Sequence, residues 1–365
     1  MKRVISVALS ALVAIFLGVA CEWVLLTGST PYAVASAVAQ SRPAPVVHYA
    51  RPDFQTGVVF ARWGTNAYTS TDPNWAIGLS EIQQQTAARW IEVTVNFFQP
   101  ASTSTQVEVS RITPGVASLA EGIRTAKARG YHVFVVPEIT VAQVGWSGLI
   151  HFSTPEDTAA WFQHYWQVLK PYLQAASAAG ADQFSLGTEY QTLEFAAPAL
   201  WNQLIEEAHA VFAGALTYDV NFTSLSDPLH AWMLNPDLTY IGVSEYQPLT
   251  HYSQWLDPSI LPDLWNTEIL SGLDQFAARL GKPVVLSEIG YRNSADALYN
   301  PWQSFSKSPP DPTEQAAAYN AALTNVIGDP YIAGIYFWGW SIPVFQPNWQ
   351  PAAKVLRQWY TSPQS

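Results

Sequence analysis

The sequence predicts a single (β/α)8 TIM barrel, an α/β fold, and three observations lead to this class. Glycine repeatedly closes a helical pattern and opens a strand-like run, at Gly130, Gly180, Gly214 and Gly281, and glycine suits the left-handed position just past a helix end. The runs that follow are continuously apolar, as in parallel strands buried on both faces. Eight such runs alternate with helical patterns, which favours the barrel over a doubly wound sheet.

The eight predicted strands start near residues 57, 90, 132, 183, 215, 239, 283 and 332. Helix starts are marked by Thr154-Pro155 and Asp311-Pro312, where a capping residue precedes proline at the first helical position. The longest predicted helix runs from Pro155 to about Ala179. Its apolar stripe should pack on the barrel through six residues: Ala159, Trp161, Phe162, Trp166, Leu169 and Leu173.

The amino-terminal region predicts export. Residues 1–40 begin with Met-Lys-Arg and an apolar stretch, which indicates a signal peptide or an N-terminal membrane or lipid anchor. Three routes stay open: cleavage after Ala39, lipid modification of Cys21, or an uncleaved anchor. Residues 41–56 form a proline-containing linker, and residues 57–365 form the barrel domain. We therefore expect an extracellular or cell-surface monomer, with membrane attachment only through the N-terminal segment.

Composition excludes several classes of partner and cofactor. The net charge is −11 and only 12% of the residues are charged, so nucleic acid and anionic membrane surfaces are poor partners. So few charges suit an acidic medium. The one cysteine, Cys21, precedes the barrel, and the seven histidines show no zinc-ligand spacing. Since the chain also lacks phosphate-binding and dinucleotide glycine motifs, we expect no metal and no organic cofactor.

Two glutamates carry the predicted chemistry. Glu189 ends the fourth predicted strand and Glu288 ends the seventh, so both should lie at the mouth where barrel enzymes work. A buried strand rarely ends in a carboxylate that is neither paired nor used. Two facing carboxyl groups suit glycoside hydrolysis, with one protonated and the other ionised. The alternative is a structural acid bound to an arginine such as Arg62 or Arg292.

Other polar and aromatic residues near strand ends are candidates for binding a sugar. Tyr246 ends the sixth strand, where its hydroxyl could hold the nucleophile or be a simple rim residue. Trp338 and Trp340 end the eighth strand, and we expect one of them to line the floor of the site, because indole faces fit sugar rings. Core filling is the alternative for both. Further candidates for contacts with sugar hydroxyls are Asn96, Glu138 and Asn221.

An ordered set of motifs resembles glycoside hydrolase family 113, of the clan A retaining TIM-barrel glycosidases. The motifs include WGTNAYTS, VNFFQP, VGWSGLIHFS, LGTEYQTLE, YIGVSEYQPL, KPVVLSEIGYRN and GIYFWGW. Known members are mainly β-1,4-mannanases. The resemblance implies Glu189 as acid/base, Glu288 as nucleophile and Tyr246 as its hydrogen-bond partner. It also implies a strand-8 tryptophan as the sugar platform.

Two positions depart from the wider clan. Thr188 stands where asparagine usually precedes the acid/base, and Glu138 stands where a histidine or another neutral or basic residue is expected. We expect an endo-β-1,4-mannanase acting on a polysaccharide or oligosaccharide by double displacement, with carboxyl groups about 5–5.5 Å apart. The alternatives are a β-glycosidase for glucan or galactan, and a non-catalytic surface glycan-binding protein on the same barrel.

Overall fold

A computed structural model describes residues 53–361, and these form one closed barrel of parallel strands. The predicted fold class is confirmed, and the predicted export segment lies outside the described residues. Each strand pairs with the next, and the first closes the ring against the last. The strands are β1 Gln55–Val59, β2 Trp90–Gln99, β3 His132–Val141, β4 Gln183–Thr188, β5 Ala215–Asn221, β6 Ile241–Glu245, β7 Val284–Ile289 and β8 Ile332–Phe337.

Strand β1 starts two residues before the predicted boundary, so Gln55 and Thr56 belong to the barrel and not to the linker. Polar contacts inside the barrel explain this position. In the side chain of Gln55, Nε2 donates to Oε1 of Gln183 at 3.0 Å, and Oε1 accepts from the hydroxyl of Tyr336 at 2.7 Å. Gly334 makes the approach of β8 feasible, because a Cβ there would lie 2.4 Å from that of Gln55.

Helices cover the outside of the barrel. They are α1 Pro73–Thr86, α2 Val116–Ala128, α3 Pro155–Ala179, α4 Gln191–Glu194, α5 Pro198–His209, α6 Leu261–Trp265, α7 Ser271–Leu280, α8 Pro312–Val326 and α9 Pro351–Tyr360, with short 3-10 or π turns at Ser147–Leu149, Phe222–Ser224, Ala231–Leu234, Pro258–Ile260 and Asn266–Leu270. Both predicted caps hold, since Thr154 and Asp311 accept from amides of the first helical turn.

The apolar stripe of α3 differs from its prediction at one position. Ala159 is exposed and the neighbouring Thr158 is buried. Trp161 and Leu169 are fully buried, whereas Trp166 is only partly buried against the core. The helix is therefore turned so that Thr158 faces the barrel, where its hydroxyl stays satisfied by the carbonyl of Thr154 at 3.0 Å.

The two faces of the strands differ in chemistry. Outward side chains such as Val93 and Val95 of β2 join one large apolar cluster with the helices. Between them in the strand, Glu92, Thr94 and Asn96 alternate with these apolar residues and are buried. Strand β2 therefore turns polar side chains into the barrel, and the carboxyl groups inside bear on the site at the mouth. Within residues 53–361, no helix is long and apolar enough to cross a membrane.

Trp161 provides a test of the packing between α3 and the barrel. Its ring stacks on Tyr165 with centroids 4.9 Å apart, and its Nε1 donates to Oε1 of Gln99 at 2.8 Å. We expect Trp161→Ala to lower the free energy of unfolding by about 3–5 kcal/mol. Trp166→Ala, on the same helix but partly exposed, should cost about 1 kcal/mol. Equal losses in urea denaturation would contradict this packing.

Candidate active site

Glu189 follows directly after β4 and has a left-handed backbone, with φ of 58°. This conformation costs a residue with a side chain about 1–2 kcal/mol. The peptide group between Thr188 and Glu189 is held through both its N–H and its carbonyl. The Glu189 amide donates to the carbonyl of Asp219 at 2.8 Å, and the hydroxyl of Ser147 donates to the carbonyl of Thr188 at 3.1 Å. Backbone strain of this kind is typical of functional positions.

The carboxyl group of Glu189 accepts one hydrogen bond on each oxygen. Nε1 of Trp146 donates to Oε2 at 2.6 Å, and Nδ2 of Asn221 donates to Oε1 at 2.9 Å. Burial raises the pKa of Glu189, and these two donors, with the hydroxyl of Ser244, offset part of the rise. The two hydrogen bonds therefore fix the orientation of the carboxyl group, while its pKa stays above the usual value.

Glu288 lies in β7 beside Tyr246, the residue that follows β6. The hydroxyl of Tyr246 donates to Oε1 of Glu288 at 2.5 Å. Burial raises the pKa of Glu288 well above its usual range, and the charges of Glu138 and Glu189 raise it further, whereas the Tyr246 hydrogen bond lowers it. The mutual electrostatic effects indicate that the three carboxyl groups share one space at the mouth.

The two arginines that could have neutralised these glutamates bind elsewhere. Arg62 pairs with Asp72, and Arg292 pairs with Asp296 at 3.2 Å. In the described part of the chain, no ion pair includes Glu189 or Glu288. The structural-acid alternative therefore has no support in the ion pairs of residues 53–361.

Arg292 is fully buried and organises the long loop after β7. Its guanidinium donates to main-chain carbonyl oxygens of Asp296, Tyr299 and Asn300 at 2.7, 2.9 and 2.6 Å. The loop is thus wound around one cation. It carries Trp302, whose ring stacks on Phe222 from the loop after β5, with centroids 6.0 Å apart.

A third carboxyl group, that of Glu138 on β3, lies beside Asn96 on β2. Nδ2 of Asn96 donates to Oε2 of Glu138 at 3.2 Å, and its Oδ1 accepts from the hydroxyl of Thr140 at 2.9 Å. Burial raises the pKa of Glu138 to about 7; the Asn96 hydrogen bond lowers it, and the charge of Glu189 raises it. Asn96 is therefore occupied in orienting Glu138.

A fourth carboxyl group, Asp219 of β5, is 1% exposed inside the barrel. Burial raises the pKa of Asp219 to about 8, the hydroxyls of Ser185 and Ser287 lower it in part, and Glu189 raises it. The side chain lies directly on β6, where a Cβ at Gly242 would be 1.6 Å from Oδ1 of Asp219. Only glycine at position 242 leaves room for this acid.

The two tryptophans at the end of β8 separate. Gly339 between them has φ of 87° and interrupts the strand alternation. Trp338 shares the inner apolar cluster with Tyr246, and a Cβ on Gly290 would lie 3.2 Å from each of the two side chains. Trp340 is 2% exposed in the large outer cluster. Trp340 is therefore a core residue, which corrects its place among the sugar-binding candidates.

The structure brings together Glu189, Glu288, Tyr246 and Asn221 through direct contacts or shared electrostatics. Asn221 was expected to bind sugar hydroxyls, but its amide binds Glu189 and its Oδ1 accepts from the amide of Thr223 at 3.0 Å. Trp146 was missed, although its motif VGWSGLIHFS stands out in the sequence, because it reaches the site from the loop after β3. Residues 53–361 hold no cluster of three or more His, Cys, Asp or Glu suited to a metal ion.

The Tyr246–Glu288 contact predicts a titration. Because the tyrosine hydroxyl lowers the pKa of Glu288, Tyr246→Phe should raise that pKa and keep the carboxyl protonated to higher pH. Carbon-13 NMR of labelled glutamate carboxyl groups, assigned with Glu288→Gln, would follow it. Tyr172→Phe is the control, since that hydroxyl binds the carbonyl of Pro114. An unchanged or lower pKa in Tyr246→Phe would refute the contact.

The buried acids also predict how stability changes with pH. The pKa values of Glu138 and Asp219 are raised to about 7 and 8, above the value near 4 of an unfolded chain. Such groups stabilise the fold fully below about pH 4, and the stabilisation is lost as pH rises through 7 and 8. The thermal midpoint should therefore fall between pH 5 and 9, and Asp219→Asn should flatten the fall.

Asp182 provides the contrasting case for the same measurement. Burial alone would raise its pKa, but hydrogen bonds from Lys127 and His132 lower it overall. Its ionisation therefore stabilises the fold at higher pH, and that share is lost only as pH falls below about 4. Asp182→Asn should leave the slope between pH 5 and 9 unchanged. A flat wild-type profile there would show that the interior acids do not hold protons.

Several solved structures that are similar to this one are named as glycosidases. A GH113 β-1,4-mannanase is 20% identical with a TM-score of 0.71, the match covering 85% of this chain and 99% of that chain. The GH113 β-mannanase of Alicyclobacillus acidocaldarius is 19% identical with a TM-score of 0.72, over 84% and 97%. A family 5 mannosidase from Rhizomucor miehei is 12% identical with a TM-score of 0.55, over 86% and 97%. At these identities the likeness shows the fold alone.

Comparison of the sequence with family models identifies the family. A comparison with curated proteins finds no match. The family model described as Glycoside Hydrolase Family 113 matches residues 60–355, which include every barrel strand from β2 to β8 and the three glutamates at the mouth. The resemblance seen in the motifs is thereby confirmed, and the chain belongs to glycoside hydrolase family 113.

Proposed function

We propose that this glycoside hydrolase is an endo-β-1,4-mannanase that works by double displacement. Glu288 is the nucleophile and Glu189 is the acid/base. The observation that carries the proposal is the paired support of the two groups: Tyr246 binds Glu288, while Trp146 and Asn221 bind Glu189. Both glutamates are partly exposed at the mouth, so a glycosidic bond can reach them.

In the free enzyme, burial and the neighbouring acids raise the pKa of Glu288 further than that of Glu189, so this division of roles requires Glu288 to ionise when substrate is bound. The ionised nucleophile attacks the anomeric carbon, and the hydrogen bond from Tyr246 favours that ionised form. The charge of Glu288 in turn helps Glu189 to keep the proton that the leaving oxygen needs. When Glu288 becomes a glycosyl ester, its charge disappears and the pKa of Glu189 falls. Glu189 is then suited to take a proton from water in the second step.

Two further residues are proposed to contact the sugar. Glu138 lies among the catalytic acids without an ion pair in residues 53–361, and a protonated carboxyl group there can donate to a sugar hydroxyl. Trp338 lies against Tyr246 in the inner cluster and offers an apolar face at the floor. The β-1,4-mannanase names of the structural neighbours favour mannan over glucan or galactan as substrate.

The amino-terminal segment supports an extracellular location for this activity. A polymer such as mannan does not enter cells intact, so an enzyme that cleaves it internally acts outside the cytoplasm. The basic start and apolar stretch of residues 1–40 fit export by any of the three routes considered above. We propose an extracellular or surface-bound monomer on this basis.

Product analysis tests the proposed reaction. Proton NMR of soluble β-1,4-mannan with fresh enzyme should show the β-anomer of new reducing ends first, as retention requires. Glu189→Ala should lower turnover of mannan roughly 100- to 10,000-fold. On an activated aryl substrate, whose leaving group needs no proton, azide should attack the glycosyl-enzyme of this variant and give a β-glycosyl azide. Glu288→Ala should be inactive, and azide should give it the α-product from an activated substrate.

Product analysis repeated on β-glucan and galactan distinguishes the alternative functions. Hydrolysis of β-glucan or galactan in preference to mannan would replace the substrate and keep the mechanism. An α-anomer appearing first would indicate inversion and overturn the assigned roles. Binding of glycan without hydrolysis by the wild type would support the non-catalytic alternative.

A further inference from the structure

The segment that follows Glu189 is tied to β5 by a chain of hydrogen bonds outside the barrel. The amide of Tyr190 donates to the hydroxyl of Tyr218 at 2.9 Å, and that hydroxyl donates to Oε1 of Glu194 at 3.0 Å. All three residues are fully buried. The chain thus starts one residue after the acid/base and ends on a carboxyl group.

Glu194 is a costly residue to bury, because a charged group away from water loses its hydration. In the described part of the chain, no ion pair includes it, and its Oε2 has no hydrogen-bond partner. Burial raises the pKa of Glu194 to about 8, against the Tyr218 hydrogen bond, and the charge of Glu189 adds to the rise. Glu194 therefore holds a proton in acidic and neutral solution.

The surroundings of Oε2 fit a protonated carboxyl group. Glu194 and Ser224 line a cavity of about 10 Å³, close to the space that one water molecule needs. The hydroxyl oxygen of Ser224 also has no partner within residues 53–361. A water molecule bridging the two would accept a hydrogen bond from the protonated Oε2 of Glu194, while Oε1 accepts from the hydroxyl of Tyr218.

We propose that Glu194 is a positioning residue for Glu189 and acts through Tyr218. This inference rests on the proposed role of Glu189 as acid/base. The left-handed conformation of Glu189 is unfavourable by itself and must be held on both sides. The carbonyl of Asp219 holds the Glu189 amide, and the Tyr218 hydroxyl, oriented by Glu194, holds the next amide along.

Strand β5 then supports the acid/base from both of its faces. Asn221 on the inner face binds the carboxyl group of Glu189, while Tyr218 on the outer face binds the backbone beside it. The direction of the carboxyl group depends on that backbone. A proton donor must lie within hydrogen-bond reach of the leaving oxygen, so loosening this anchor should weaken acid catalysis more than substrate binding.

The neighbouring Tyr165 offers a matched control. Its hydroxyl donates to the carbonyl of Leu186 at 2.9 Å and accepts from the hydroxyl of Tyr190 at 3.2 Å. It is as buried as Tyr218 and lies in the same aromatic cluster, but it does not bind the backbone next to Glu189. Tyr165→Phe therefore removes a buried hydroxyl beside the Tyr190 side chain and leaves the hydrogen bond between the Tyr190 amide and Tyr218 in place.

The test measures kcat/KM on two substrates that differ in their need for an acid. Mannotetraose has a sugar leaving group that requires a proton, and a dinitrophenyl β-mannotrioside has one that does not. Tyr218→Phe and Glu194→Leu should lose roughly 10- to 100-fold on mannotetraose and less than about 3-fold on the aryl substrate. Tyr165→Phe and Glu194→Gln, which keeps an acceptor oxygen, should stay within about 3-fold of wild type on both.

The outcomes are distinct. Equal losses on both substrates, or losses in Tyr165→Phe that match those of Tyr218→Phe, would overturn the positioning role. If Tyr218→Phe does not fold, the comparison of Glu194→Leu with Glu194→Gln decides in the same way. A wild type that hydrolyses neither substrate would overturn the proposed function, and this inference with it. Wild-type hydrolysis with unaffected variants would overturn this inference alone.

Discussion

The whole site depends on one electrostatic constraint, the crowding of carboxyl groups at the mouth of the barrel without an ion pair to arginine or lysine among residues 53–361. Glu138, Glu189 and Glu288 influence one another, and Asp219 lies beneath them. Like charges this close cannot all be ionised in a buried space. Two effects reduce the repulsion between these groups. Neutral side chains of asparagine, tryptophan, tyrosine and serine donate hydrogen bonds to the carboxyl groups, and raised pKa values keep some of the groups protonated. The direction and the charge of these carboxyl groups thus both depend on hydrogen bonds.

The two faces of strand β5 have different roles. Inner residues of β5, Asp219 and Asn221, belong to the site, whereas Tyr218, the residue before Asp219, belongs to the aromatic layer under the helices. That layer also contains Trp201 and Trp232, stacked with centroids 4.7 Å apart. This aromatic layer packs directly behind Glu189, so the position of the Glu189 backbone depends on the packing of the core.

Much of the fold and the acid pair could be predicted from the sequence, because both follow from local rules. Parallel strands are continuously apolar, and Glu189 and Glu288 stand out at the ends of such runs. The partners of these acids could not be predicted in the same way. Trp146 reaches Glu189 from a loop whose path depends on the complete barrel, and Asn221 could equally have faced a sugar. Which of Trp338 and Trp340 faces the core could not be predicted either, because it depends on the left-handed Gly339, beyond which Trp340 joins the outer cluster.

The burial of Arg292 has a consequence for how this enzyme can evolve. The guanidinium holds the loop after β7 by its carbonyl oxygens, which every amino acid provides. Side-chain contacts add to this support at Asp296, Ser294 and Ser306. Trp302 takes no part in those bonds, so its side chain can change while the guanidinium still holds the loop. The surface of the rim can thus vary without a change in the strands below it.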